Sequence, residues 1–153
     1  MSFVELIQVT LAPVVLITAV ALINISQYAR YGRIHDRIRQ LLKDVEKINL
    51  AKISEEIRNK KIAVSKDQLR IFLERARLAK WSLVLMQLSL VASAIDAILI
   101  FINVAVLVEL GFVIIIIFGF SVLLILIGAI LAAFEIYKSL KGLHLEIEAV
   151  IKS

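Results

Sequence analysis

The chain has 153 residues, 61% of them hydrophobic, and a mean hydropathy of +0.93. Soluble domains carry roughly 45–50% apolar residues, so this composition excludes an ordinary water-soluble globule and points to an integral membrane protein. The net charge of +5 is no signature of nucleic acid, because basic residues beside apolar runs report membrane topology first and anionic lipid second.

There is no cysteine, which excludes thiol chemistry, disulfides and Cys-ligated zinc. Nor does the N-terminus read as a cleavable signal, since Glu5 sits where a basic n-region would be. Ser2 and Glu5 instead fit a capping box, so a helix is expected to begin near residue 3 and to cross the membrane over residues 6–27. Pro13, the only proline, cannot bond the carbonyl of Val9 and is expected to kink this helix or to mark its proper start. Tyr28, Arg30, Tyr31 and Arg33 form an aromatic and basic belt at the membrane exit.

Beyond the belt, Ile34, Ile38, Leu41, Val45 and Ile48 alternate four-three, the seam of a coiled-coil-like helix. The pattern weakens over residues 54–65, which reads as a turn region or as a turn followed by a short helix after Ser54. Ser65 and Gln68 then make a second capping box, and Leu69, Phe72, Ala76, Ala79 and Leu83 carry four-three spacing into the central apolar run. That run, residues 81–111, contains no Lys or Arg and exceeds the ~20 residues needed to cross a bilayer. The connection after it is short, so the third run, which holds Gly119, Ser121, Gly128, Ala129 and Ala132, is its antiparallel neighbour. Gly128 and Ala132 offer a small-x-x-x-small contact surface. Ile136, Leu140, Leu143, Ile147 and Ile151 continue an amphipathic stripe to the C-terminus.

The fold class these elements predict is all-α: an integral membrane protein with three transmembrane helices and cytoplasmic helical extensions, a hairpin plus a C-terminal helix. The expected boundaries are a first membrane helix over 1–28, a basic hairpin over 29–80, a second membrane helix over 81–110, a third over 111–137 and a C-terminal helix over 138–153. Fifteen of the eighteen basic residues lie in 30–80 against seven acids, a local charge of +8. The positive-inside rule then puts the N-terminus outside and both the hairpin and the C-terminus in the cytoplasm.

The most informative residues lie on the central run. Ser82, Ser89, Asp96 and Asn103 recur every seven residues and Ser93 falls on the same stripe, so one face of a membrane helix is polar. An intramembrane carboxylate marks an ion or proton site by default, and the structural alternative is a protonated carboxyl hydrogen-bonded between helices. Counting 1.5 Å per residue from the interfaces puts Thr18 and Ser121 at the depth of Asp96, a possible midplane cluster. Glu135, at the inner end of the third run, can reach Arg30, Arg33 or headgroup water, and a structural ion pair accounts for it more simply than a gate. Asn24 and Asn103, each one turn from an interface, need only interhelical hydrogen bonds. His35 with Asp36, and His144 with Glu148, are too few for a metal site, which needs three or four converging ligands. No nucleophile with a partnered base, phosphate loop or zinc motif occurs, so neither an enzyme nor a cofactor is expected.

Ile25-Ser26, the segment Arg33-Ile34-x-Asp36-Arg37-Ile38-Arg39-x-Leu41 and the run 69–89 together resemble a family of small bacterial three-pass membrane proteins of unknown function. Where that family usually carries an Asn-Arg pair, this chain has Gln27 and Tyr28. The resemblance implies the three-pass fold and a prokaryotic plasma membrane, and it implies no activity.

Two functions fit these residues, and the sequence favours the first, because five polar groups on one stripe exceed what packing three helices needs. One is a homo-oligomeric, cation-conducting channel whose lumen carries Ser82, Ser89, Ser93, Asp96 and Asn103; three spans are too few to enclose a pore, so several copies would be needed. The other is a non-conducting scaffold or regulatory subunit that presents its basic segment to anionic lipid of the inner leaflet or to a protein. They differ in where the stripe points: toward a symmetry axis, or into the protomer's own three-helix core. The topology itself is testable. Single cysteines at Ser54 and Glu109 should label from opposite sides of a sealed membrane with an impermeant thiol reagent, and same-side labelling would refute the charge-based orientation.

Overall fold

A computed structural model describes the backbone of residues 3–50, 54–106 and 109–151, and the side chains of residues 11–50, 54–104 and 109–139. Among the described residues there are three helices: α1 (Phe3–Leu50), α2 (Glu55–Val106) and α3 (Gly111–Ile151). Each is far longer than the ~20 residues that span a hydrocarbon core, and each contains a segment apolar enough to do so. The protein is an integral membrane protein built of these three helices.

The expected hairpin and extra C-terminal helix do not exist as separate elements. α1 runs through Tyr28, α2 through Lys80 and α3 through Tyr137 without interruption. The physical reason is that a change from apolar to charged surface alters what surrounds a helix, not whether its backbone stays helical. α2 contains neither glycine nor proline, and its polar half is rich in Glu, Lys, Arg and Gln, all good helix formers. Of the residues expected to turn, 54–65, only Ser54 lies outside a helix. The helix after Ser54 is present, but it is the continuous start of α2 rather than a short separate piece. Glu55 and Glu56 occupy the first turn of α2, where acids complement the helix dipole, and the Arg58 amide donates to the Ser54 carbonyl at 3.0 Å. Ser65 is no cap, because its hydroxyl bonds back to the carbonyl of Lys61 four residues earlier. Nor does Pro13 start α1, which begins at Phe3 and buries the proline ring. The Ser2–Glu5 capping box, the stripe from Leu140 to Ile151 and the pair His144–Glu148 lie outside the residues whose side chains are described.

The helices form two compact units, and all three contribute to both. The first comprises Met1–Gln27 and Trp81–Leu131, the second Tyr28–Lys80 and Ala132–Ser153. In the first, α2 buries Ser82, Leu83, Met86, Ser89, Ser93, Asp96 and Ile100, α1 buries Pro13, Val20, Asn24 and Gln27, and α3 buries Ser121, Leu124 and Gly128. The outer faces are apolar, with Leu22, Ile25, Val91, Ile98, Phe101, Ile115, Phe120 and Leu126 exposed, as a lipid-facing surface requires. In the second unit, Ile34, Ala76 and Ala79 form a buried cluster with Tyr31, Ile38 and Phe72 packed against it. The two four-three seams read from the sequence are therefore turned into the chain's own packing.

α2 and α3 approach closely at Gly128. The Ser82 hydroxyl donates to its carbonyl at 2.7 Å, and a Cβ added there would meet Met86 Cγ at 3.1 Å and the Ser82 carbonyl oxygen at 3.3 Å. Met86 can yield, but the backbone carbonyl cannot without moving the helix. Gly128→Val should therefore lower thermal stability in detergent by about 1–3 kcal/mol, the usual cost of overpacking. Gly119→Ala, with nothing within 4 Å of the added carbon, should change it by only a few tenths of that range.

Candidate functional site

The helical stripe of α2 places four of the expected pathway residues on the buried face of the first unit. Ser82 and Ser89 are fully buried, and Ser93 and Asp96 are 1% exposed. They meet α3. Ser93 Oγ and Ser121 Oγ lie 2.6 Å apart, and Ser121 Oγ donates to the Ser89 carbonyl at 3.1 Å. With the Ser82–Gly128 bond, this makes a ladder of hydroxyl contacts along the α2–α3 seam. Asp96 and the Ser89 hydroxyl are not part of it: neither Asp96 oxygen, nor Ser89 Oγ, has a hydrogen-bond partner among the described residues.

Two expected members sit elsewhere. Thr18 is exposed and its hydroxyl bonds the Val14 carbonyl of its own helix at 3.0 Å, so no midplane cluster of Thr18, Asp96 and Ser121 forms. A hydroxyl facing lipid is satisfied this way without a neighbouring helix. Asn103 is half-buried and accepts the Leu110 amide at 2.8 Å through Oδ1. The Leu110 carbonyl in turn accepts the Ile114 amide of α3 at 3.1 Å. Asn103 thus ties down the α2–α3 connection. On α1, Asn24 is buried with both side-chain polar atoms unpartnered among the described residues.

The second unit holds a different polar centre. Glu135 is 1% exposed and receives two hydrogen bonds on Oε1, from Arg75 Nε at 3.0 Å and Arg75 Nη2 at 2.9 Å. Arg30 Nη1 faces Oε2 at 3.7 Å. Of the expected partners, Arg30 is present and Arg33 is exposed, away from the pair. Arg75 was not foreseen, although it stands seven residues before Ser82, as Glu135 stands seven after Gly128, so extending each stripe by one repeat would have found it. Arg75 is also braced against Phe72, its guanidinium carbon 5.3 Å from the ring centroid. Nearby on the surface, the Lys138 ammonium donates to Glu74 at 2.9 Å. That hydrogen bond, with the lysine's charge, holds the Glu74 carboxyl below the ordinary glutamate range. The pair's contribution is present above that range and is lost as pH falls through the lowered value.

His35 is exposed and stacks on Tyr31, ring centroids 4.6 Å apart. No group of three or more His, Cys, Asp or Glu able to hold a metal occurs among the described residues. Because Glu135 is buried between two guanidinium groups, removing its hydrogen-bond donor exposes the cost of burying its charge. Arg75→Ala should destabilise the protein by about 3 kcal/mol or more, whereas Arg33→Ala should have almost no effect; paired thermal melts in detergent will distinguish them.

Residues 10–145 match the family described as "Protein of unknown function (DUF2721)". No curated protein and no solved structure matches the chain. The family match takes in all three helices, including the stripe of α2, the Ser121–Gly128–Glu135 face of α3 and the Arg30 end of the α1 belt. The chain, itself a multi-pass membrane protein by its three apolar helices, accordingly belongs to the DUF2721 family of unknown function.

Proposed function

We infer that this protein is a non-conducting membrane scaffold or regulatory subunit, which anchors a strongly basic helical segment at the inner face of a prokaryotic plasma membrane. The observation that supports this most directly is the direction of the polar stripe. Ser82, Ser89 and Ser93 are buried within one chain against α3, and Asp96 is buried with them, whereas a pore shared among copies needs them on a surface turned toward a symmetry axis. A contact as tight as Ser82 with Gly128 leaves no lumen along that part of the seam.

The basic segment supplies the other half of the reading. Its charge of +8 over residues 30–80 attracts anionic headgroups or an acidic protein surface. Ile57, Val64 and Ile71, seven residues apart and all exposed, give the same segment an apolar stripe on which a partner, or a second copy, can dock. A homo-oligomer would use this stripe, since the seams on 34–48 and 69–83 are consumed within the chain. The orientation proposed is N-terminus outside, with residues 29–80 and the C-terminus inside; no catalytic activity is proposed.

The runner-up is the cation channel, and the observation in its favour is the unpartnered Asp96 carboxyl. Liposomes separate the two. Reconstituted wild-type protein should carry no potassium, sodium or chloride flux above that of protein-free vesicles under a gradient or applied voltage. A conducting wild type slowed by Asp96→Asn would establish the channel instead.

A further inference from the structure

We propose that Asp96 is a proton-binding site: its carboxyl carries a proton while it is buried in the first unit. The claim does not rest on the scaffold reading, and a conducting protein would leave it standing.

The first argument is the charge inventory around the group. Residues 1–27 and 81–131, which make up the first unit, contain no Lys, Arg or His. Their only other acids are Glu5, whose side chain is outside the described residues, and Glu109, exposed on the α2–α3 connection. α1 over residues 11–27 and α3 over residues 111–131 bring no charge at all to the faces packed against α2. An ionised Asp96 would therefore be a lone buried charge with no counter-charge, in the middle of a segment that crosses hydrocarbon. Glu135 shows the alternative arrangement in the same chain, where a buried carboxylate is held by two guanidinium groups.

The second argument is the direction of the hydrogen bonds. A serine hydroxyl has one proton to give. Ser121 spends its proton on the Ser89 carbonyl, so in the 2.6 Å contact between Ser93 and Ser121 the donor is Ser93. Ser93 consequently has no proton left for Asp96, but its oxygen can still accept one. Ser93 is the i−3 neighbour of Asp96 on the same helix face, and no hydrogen bond joins the two side chains in the structure. A carboxylate beside it would find no donor; a carboxylic acid would find an acceptor. The hydroxyl chain in the structure runs from Ser93 to Ser121 to the Ser89 carbonyl; a side-chain rotation bringing a protonated Asp96 onto Ser93 Oγ would extend it.

The third argument disposes of a metal cation. A dehydrated alkali or divalent ion needs several oxygen ligands around it, and no second acid joins Asp96 among the described residues. The Ser93 and Ser121 hydroxyls are already engaged with each other, and Ser89 Oγ, unpartnered, is two turns away along α2. A proton needs no such ligand set.

The test is infrared difference spectroscopy on the full chain in nanodiscs, titrated with pH and with sodium. Wild type should show the carbonyl-stretch band of a protonated carboxyl at neutral pH, unaffected by sodium. Asp96→Asn, which keeps the shape of the neutral acid, should lose the band and Glu109→Gln should keep it. Ser93→Ala should retain the band but shift it, because the acceptor is gone. Thermal melts of the same samples should show wild type losing stability relative to Asp96→Asn as pH is raised, since the folded state holds a proton that alkali removes. An ionised Asp96 at neutral pH would overturn the proposal, and so would a carboxyl signal that changes with sodium.

Discussion

The packing of this protein depends on the bond between the Ser82 hydroxyl and the Gly128 carbonyl, 2.7 Å long and formed between residues 46 apart in sequence. Lipid tails are as apolar as leucine, so hydrocarbon gives two helices no hydrophobic reason to associate; close van der Waals contact and hydrogen bonds must do it. Close contact needs a missing side chain, and Gly128 provides it. Once α2 rests against Gly128, the seven-residue repeat sets Ser89 and Ser93 opposite Ser121, seven residues before Gly128 on α3. One glycine thereby brings a whole row of small hydroxyls into register. The same rotation of α2 turns Val91, Ile98 and Phe101 out toward lipid.

Two acids, Asp96 and Glu135, are equally buried and yet chemically opposite. Glu135 lies where the sequence supplies arginines, and it takes both hydrogen bonds from Arg75 while Arg30 stands close by. Burying a charge is tolerated there because each member is compensated, and the arrangement fixes α2 against α3 as much as it stabilises them. Asp96 lies where the sequence supplies no cation at all. The chain thus combines an ion-paired centre with a lone carboxyl.

How the helices end is set by local chemistry of a different kind. The α2–α3 connection is short, and Asn103 reaches across it to hold the Leu110 amide. That side chain read as a candidate pathway residue because it continues the seven-residue stripe. Its position at the last turn of the stripe is what lets it act as a tie instead. Thr18 makes the converse point: counting by depth puts it level with Asp96, but depth says nothing about rotation around the helix axis.

Much of the architecture was legible in the sequence. Hydropathy and length are properties of a segment by itself, so they determined the three apolar runs and the membrane setting. The seven-residue spacing of Ser82, Ser89 and Asp96 likewise determined that α2 has a polar face, because periodicity needs only one helix. The sequence misread the junctions at Tyr28, Lys80 and Tyr137 as changes of element. A switch from apolar to charged residues looks like a boundary in composition, but the backbone hydrogen bonds that make a helix are indifferent to it. Only the tertiary structure decided that the polar face turns inward against Gly128 and Ser121, that Thr18 turns outward, and that Arg75 rather than Arg33 joins Arg30 at Glu135. Those outcomes depend on how one helix is rotated against another, and that is fixed by contacts between residues dozens of positions apart, which no local pattern records.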